Sequence, residues 1–183
     1  MLGDFGATLA AARAGAEWAW RELYRGTAGP VERFLRARGV RDPDDVLGDT
    51  FLNVVRGIDR FDGDEIEFRA WVFTIARNTA IDRARWLDRR PSIPSAHDDL
   101  ATLGPVGDAE ADAMDRIAFE HVRRVLGRLT PDQRDVLLLR IVGGLTIEQI
   151  ASVVGRSAGA VKMLQARGVA AIRRDIERGA VTL

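Results

Sequence analysis

Residues 68–86, FRAWVFTIARNTAIDRARW, read as one helix with two incompatible faces. At about 100° per residue, Phe68, Val72, Ile75, Thr79 and Trp86 fall along one side, and Thr74, Arg77, Asn78, Ile81 and Arg85 along the other. The first side calls for a core. The second sets cationic and amide groups at i, i+3 and i+4, so that neighbouring side chains reach phosphate oxygens and an exposed base edge together. A plain solvated face would look the same, because arginine is common on helix surfaces.

Upstream of that helix, Arg60-Phe61-Asp62-Gly63-Asp64-Glu65 forms a polar turn with Asp-Gly as the breaker. Before it, Asp42-Pro43-Asp44-Asp45 marks a helix start: a capping carboxylate, a proline where no N–H is needed, and two acids at the positive end of the dipole. The helix so opened buries Leu47, Thr50, Phe51, Val54 and Ile58, and shows Asp45, Asp49, Leu52 and Arg56 together on its other side. A leucine ringed by charges suits a docking site for a charged partner helix, an apolar anchor inside a polar rim, although single exposed leucines are ordinary. Nearer the N-terminus, the helical spacing from Thr8 to Arg25 is expected to break at Gly29-Pro30, with Pro30 opening a second helix through Val31, Phe34 and Leu35. Asp62-Gly63-Asp64 lacks the alternating oxygen ligands and distal bidentate glutamate of a calcium loop, and the 42–45 run contains a proline, so a turn and a cap account for both.

Downstream, Pro91 to Asp115 turns to Pro, Gly, Ser, Ala and Asp without a basic residue, the composition of a linker. It reads either as a solvated spacer or as an acidic strip that occupies a basic channel in place of nucleic acid. The helical pattern returns from Ile117 to Leu129. Thr130-Pro131-Asp132-Gln133 then combines an N-cap, a proline at the first helical position and a capping-box glutamine. The helix after it, with Val136, Leu137, Leu138, Leu139, Ile141 and Val142, is apolar nearly all round and belongs at the centre of its domain, and Gly143-Gly144 ends it. Thr146-Ile147-Glu148-Gln149 repeats the capping box, Gly155-Arg156 turns the chain, and Ser157 caps a last helix to about Glu177, which together make a helix-turn-helix.

Within that last helix Val161, Leu164, Gly168 and Ile172 share one side, with Gly168 best explained by close approach of another helix. Lys162, Met163, Ala166, Arg167, Ala170 and Arg173 share the other. Small residues between cations let a helix sit in a major groove, where Lys162 or Arg167 can donate to guanine O6 and N7. Thr146, Arg156, Ser157 and Arg174 suit phosphates, helped by backbone N–H groups at the two helix starts. A helix hairpin used only for packing is the plainer reading.

The net charge of zero hides a division along the 183 residues. Residues 91–115 hold six acids and no base, residues 116–183 hold twelve bases and six acids, and residues 69–90 hold six arginines against two aspartates. Basic patches on a neutral chain point to a polyanion met at two separate places. The absence of cysteine excludes a disulfide frame and a thiol nucleophile, and with two histidines a zinc site is not expected. No apolar run reaches membrane-spanning length and the N-terminus lacks a basic start before its apolar part, so neither membrane insertion nor a signal peptide is expected and the cytoplasm fits.

Three blocks, DPDDVLGDTFLNVVRGIDRF, FRAWVFTIARNTAIDRARW and, after the linker, LTPDQRDVLLLRIVGGLTIEQIASVVGRSAGAVKMLQARGVAAIRR, together closely resemble the small bacterial sigma factors of the extracytoplasmic-function group. The likeness covers about residues 15–176 in the family's order. It implies an all-α chain of two small helical domains, a sigma region 2 bundle over 8–90 and a sigma region 4 helix-turn-helix over 115–178, joined by a flexible acidic linker over 91–114.

The same resemblance implies partners and site residues. Asp45, Asp49, Leu52 and Arg56 would dock on the coiled-coil clamp helices of the RNA polymerase core, whose flap also belongs to the expected interface. Arg77 and Asn78, with the loop near Phe61 to Glu67, would hold a flipped base of the promoter minus-ten element, and Arg83 and Arg85 its backbone. Flipping suits a strand that must be melted anyway, since the unstacking cost falls on a required step. Thr146, Arg156, Ser157, Lys162, Met163, Ala166, Arg167, Arg173 and Arg174 would meet the minus-thirty-five element, the linker would thread the polymerase cleft, and an anti-sigma factor would exert control. No catalytic residue, cofactor, metal or small-molecule substrate is implied.

The chain departs from the family in places. Members often carry Ser and Arg after the position of Lys162, where Met163 and Leu164 stand, and a second Arg in place of Val169, so the promoter sequence does not transfer. Two rival classes remain at this level. A recombinase would need a nucleophile or metal-binding acid cluster, which the motifs do not assemble, and a dimeric regulator would bind duplex DNA tightly without polymerase.

Overall fold

The computed structural model describes residues 4–89 and 124–178, and their regular structure is entirely helical. In order come α1 (Phe5–Arg13), α2 (Glu17–Arg38), α3 (Pro43–Gly57), a 3-10 turn (Ile58–Arg60) and α4 (Glu65–Asp88), then α5 (Pro131–Ile141), α6 (Ile147–Val154) and α7 (Ala158–Glu177). The linker expected over 91–114 and the start of the helix expected from Ile117 lie outside the described residues.

The break expected at Gly29-Pro30 does not occur. α2 runs through Pro30, and the chain turns earlier, where Gly15 adopts φ +82° and Gly15 N–H and Ala16 N–H donate to the carbonyls of Ala12 and Ala11, the Schellman arrangement. A proline inside a helix orphans the carbonyl four residues back. Here that carbonyl, on Gly26, accepts from Arg69 Nη2 of α4 at 3.4 Å, so tertiary structure supplies the missing partner.

The caps differ in quality. Asp42, expected to cap α3 with its carboxylate, sits at φ 55°, ψ 59° and makes no cap bond. Capping needs an extended backbone that aims the side chain at the first-turn amides, and the left-handed conformation does not. The next acid, Asp44, instead ties α3 to α2 through Arg36 at 2.8 Å. α4 starts at Glu65, ahead of the expected Phe68, because Asp64 and Glu67 form a reciprocal capping box at 2.8 and 2.9 Å. The boxes expected at Thr130/Gln133 and Thr146/Gln149 and the Ser157 cap are all present. Thr146→Ala is expected to cost about 1 kcal/mol, read as a fall of roughly 2–4 °C in thermal midpoint.

Among the described residues one buried cluster runs through α1 to α7 and takes in Leu126 and Leu129 ahead of α5. Around Phe34, Val31, Val46, Val54, Phe68 and Val72 it is the core of the N-terminal helices, and around Val136 to Leu139, Leu145, Ile150 and Val161 that of the C-terminal ones. α4 lies against α6, and α2 against α5. The join is tight at Gly143: a Cβ there would stand 2.6 Å from the Leu139 carbonyl and 3.3 Å from the Phe73 ring, which meets Phe34 edge-on at 5.6 Å. Gly143→Ala is therefore expected to destabilise the protein by about 1–3 kcal/mol, with helicity by circular dichroism retained at low temperature.

This contact moves the buried stripe of α4. Phe73, Ala76 and Ala80 are buried together with Phe68 and Val72, whereas Trp86, expected on the core side, is 43% exposed. Its ring lies under the Arg83 guanidinium at 5.5 Å. Ile141, expected within the apolar α5, is the helix's last residue and is exposed, outside the contacts that cover Val136 to Leu139.

Candidate functional site

On α3, Asp45, Asp49, Leu52 and Arg56 all stand exposed on the face opposite Val46, Leu47, Thr50 and Val54. Leu52 is 55% exposed, and the structure adds a second apolar group beside it, Val55, that the sequence reading passed over. It follows Leu52 by three residues, the spacing of neighbours on a helix surface. An exposed Tyr24 ring from α2 packs on Phe51 at 4.6 Å. The result is a small apolar surface rimmed by two carboxylates and a guanidinium.

The loop before α4 is held from two sides. Arg13 of α1 donates through Nε to the Ile58 carbonyl at 3.2 Å and through Nη2 to that of Phe61. Phe61 in turn stacks on Trp71 at 5.0 Å and meets Phe68 at 5.4 Å. Arg13 was invisible to the sequence reading, since its partners lie 45 and 48 positions away.

Along α4 the four expected strand-contacting residues separate. Asn78 and Arg85 are exposed, Arg85 within 3.7 Å of Asp82. Arg83 is half-buried, 3.6 Å from Asp45, with its Nε buried and unpaired. Arg77, expected to point outward, does not. Its side chain is 14% exposed and donates through Nε to Asp135 of α5 at 2.8 Å, with Asp132 at 3.8 Å. Arg38 of α2 also reaches Asp135, from Nε at 2.7 Å and Nη2 at 3.4 Å. Beside them Arg134 donates to the carbonyls of Arg38, Leu126 and Leu129. Burial, then the charge of Arg38, lowers Arg134 below the ordinary arginine value, with Asp135 opposing. The physical reason for the turned Arg77 is that α5 lays two carboxylates over the face that the isolated helix would leave open.

On α7, Lys162, Met163, Ala166, Arg167, Arg173 and Arg174 are exposed, and Val161 and Gly168 are buried beneath them. A Cβ on Gly168 would lie 3.0 Å from Leu137 Cδ1, so the glycine does permit close approach of α5. An open trough of about 470 Å³ runs along Lys162, Ala166, Val169 and Arg173. The Thr146 and Ser157 hydroxyls accept bonds from the first-turn amides of α6 and α7, and Arg156 pairs with Asp132 at 2.8 Å.

Asp132, Asp135, Arg38 and Arg134 were absent from the sequence-derived site. One signal was there: Asp135 is an acid set directly before Val136 to Leu139 in a helix read as apolar nearly all round, and a buried carboxylate needs cations. Among the described residues no cluster of three His, Cys, Asp or Glu is placed to hold a metal, and no helix is long and apolar enough to cross a membrane.

The family model for sigma-70 region 2 matches residues 23–90, and that for sigma-70 region 4 matches residues 119–172. The chain is 33% identical over 164 residues to RNA polymerase sigma factor CarQ of Myxococcus xanthus, covering 88% of this chain and 91% of CarQ. It is 30% identical over 172 residues to ECF RNA polymerase sigma factor BldN of Streptomyces coelicolor, covering 89% of this chain but 62% of BldN, so it spans less than two thirds of that relative. Among solved structures, CnrH of Cupriavidus metallidurans in complex with the cytosolic domain of CnrY superposes with a TM-score of 0.72 at 25% identity, covering 94% of this chain and 96% of CnrH.

Proposed function

Because the chain belongs to the extracytoplasmic-function group of RNA polymerase sigma factors, we propose that it binds core polymerase through α3, engages the melted minus-ten strand with α4, and reads the minus-thirty-five duplex with α7. The observation that carries this reading is the coexistence, in one chain, of an apolar patch rimmed by charge on α3 and an exposed cationic face on α7, with Asn78 and Arg85 outward on α4. Asp45, Asp49, Leu52, Val55 and Arg56 make the polymerase contact, with the clamp helices as the surface they meet. Asn78, Arg85, Arg83 and, once released from Asp135, Arg77 face the strand. Lys162 and Arg167 donate to base edges, with Met163 and Ala166 against the groove, while Arg173, Arg174, Arg156, Thr146 and Ser157 lie along the backbone.

Regulation by a protein partner fits the same surfaces. The relative CnrH is held by the cytosolic domain of another protein, and a partner that covers both helical groups of this chain would act as an anti-sigma factor. In this reading the chain acts in the cytoplasm, as an initiation factor and not as an enzyme.

Reconstitution tests the proposal. Core polymerase supplied with the purified chain is expected to start transcripts from a defined subset of genomic promoters, core alone is not, and the chain alone is expected to bind those duplexes weakly. Tight duplex binding without core, with no stimulation of transcription, would establish a plain dimeric regulator instead. Strand transfer by the purified chain would establish a recombinase.

A further inference from the structure

Asp132 and Asp135 stand one turn apart on α5, and three arginines converge on them. Arg38 and Arg77 reach Asp135 at 2.7 and 2.8 Å, and Arg77 and Arg156 reach Asp132 at 3.8 and 2.8 Å. Two of those arginines are ones read above as nucleic-acid contacts. Asp135 is only 1% exposed, so its carboxylate fills a place defined by guanidinium groups from two other helices. Arg38 belongs to a second feature as well. With Arg41 and Arg83 it walls an open hollow of about 470 Å³ floored by Ala80, Ala84 and Leu87, with Asp88 as the acid on its lining. Arg83 has a buried Nε without a hydrogen-bond partner and an Nη2 that stands 3.6 Å from Asp45, and Arg41 makes no ion pair among the described residues.

We propose that Arg38 and Arg77 form a seat for a backbone phosphate of single-stranded DNA, continued by Arg41 and Arg83 in the adjoining hollow, and that Asp135 fills this seat whenever the two helical groups are together. A carboxylate and a phosphate present similar oxygen pairs to a guanidinium fork. The two occupants therefore exclude one another, and the C-terminal helices compete with the strand for the N-terminal ones. The ionic part of the exchange is close to even, because a buried ion pair gains little net free energy against its desolvation, and the apolar join at Gly143 and Phe73 sets the cost of parting the two groups. Arg38, on α2, becomes a strand contact outside the helix that carries the others. This inference rests on reading α4 as the strand-binding helix.

The chain has no cysteine, so dyes can be placed through Gly48→Cys and Ser152→Cys, both at exposed positions on opposite helical groups. Adding unlabelled single-stranded DNA of about ten nucleotides to the full chain is expected to lower energy transfer between them. Asp135→Asn, measured by anisotropy of the labelled strand, is expected to bind about fivefold tighter or more, since the competent state no longer has to be freed. Adding Arg38→Ala to that variant should cancel the gain and flatten the log–log salt dependence by about 0.7. Unchanged affinity in Asp135→Asn, or unchanged affinity and salt slope on adding Arg38→Ala, overturns the proposal. If Asp135→Asn proves unfolded by circular dichroism, the unsubstituted Asp135 chain decides: constant energy transfer at saturating strand overturns it. The assay contains no polymerase, so its failure beside intact core capture strikes the seat alone, and loss of core capture beside intact strand binding strikes the sigma reading alone.

Discussion

Leu52→Asp is expected to abolish capture of core RNA polymerase while leaving the fold intact. Leu52 is 55% exposed on α3 and its side chain is absent from the buried cluster, so a carboxylate there costs the free protein within about 0.5 kcal/mol. At an interface the same change removes an apolar anchor and buries an unpaired charge, on a face where Asp45 and Asp49 already supply negative charge. A residue at the centre of such a patch carries about 2–4 kcal/mol, or roughly 30- to 1000-fold in affinity. The check is binding to immobilised core beside a thermal melt. Wild-type affinity at an unchanged melting temperature would remove α3 from the interface, while Arg56→Ala, on the rim, is expected to change affinity much less.

The second large effect is on promoter choice. Lys162→Ala combined with Arg167→Ala removes both side chains on α7 placed to donate to base edges, and each such contact discriminates by about 1–3 kcal/mol. Alanine keeps the helix, and both positions are exposed, so stability should hold. Together they are expected to lower transcription from the chain's own promoters about a hundredfold or more, with core capture at the wild-type level. Arg173→Ala should behave differently, weakening all promoters by a similar factor and reducing the salt dependence, as a phosphate contact does. Retained promoter choice in the double variant would overturn the assignment of α7 as the reading helix.

The parts of the site that were legible in the sequence lie on surfaces a single helix defines. On α3 and α7 the exposed face follows from which residues recur at helical spacing, and the burial of Val46, Thr50 and Val54 leaves Asp45, Asp49 and Leu52 outward. Val55 belongs to the same face and was missed because it sits next to the buried Val54, at the edge of the stripe. On α4 the rule fails. The helix is covered on more than one side, Ala76 and Ala80 mark a close approach that small residues do not announce, and Arg77 is turned from a surface group into a buried partner of Asp135.

The sequence by itself determined the local elements: capping boxes at Thr130 and Thr146, a capping serine at Ser157, glycine turns and apolar stripes are short-range features whose hydrogen bonds and periodicity close within one or two turns. Only the tertiary structure decided that α2 continues through Pro30, because the orphaned Gly26 carbonyl is satisfied by Arg69 from 43 positions away. It alone decided, too, that the two helical groups share one core and that Asp135 draws in Arg38 and Arg77 across it, 97 and 58 positions distant. Helical spacing describes which residues lie on one face of one helix. Which other face meets it, and which charges are thereby taken out of water, depends on packing between segments that no periodicity connects.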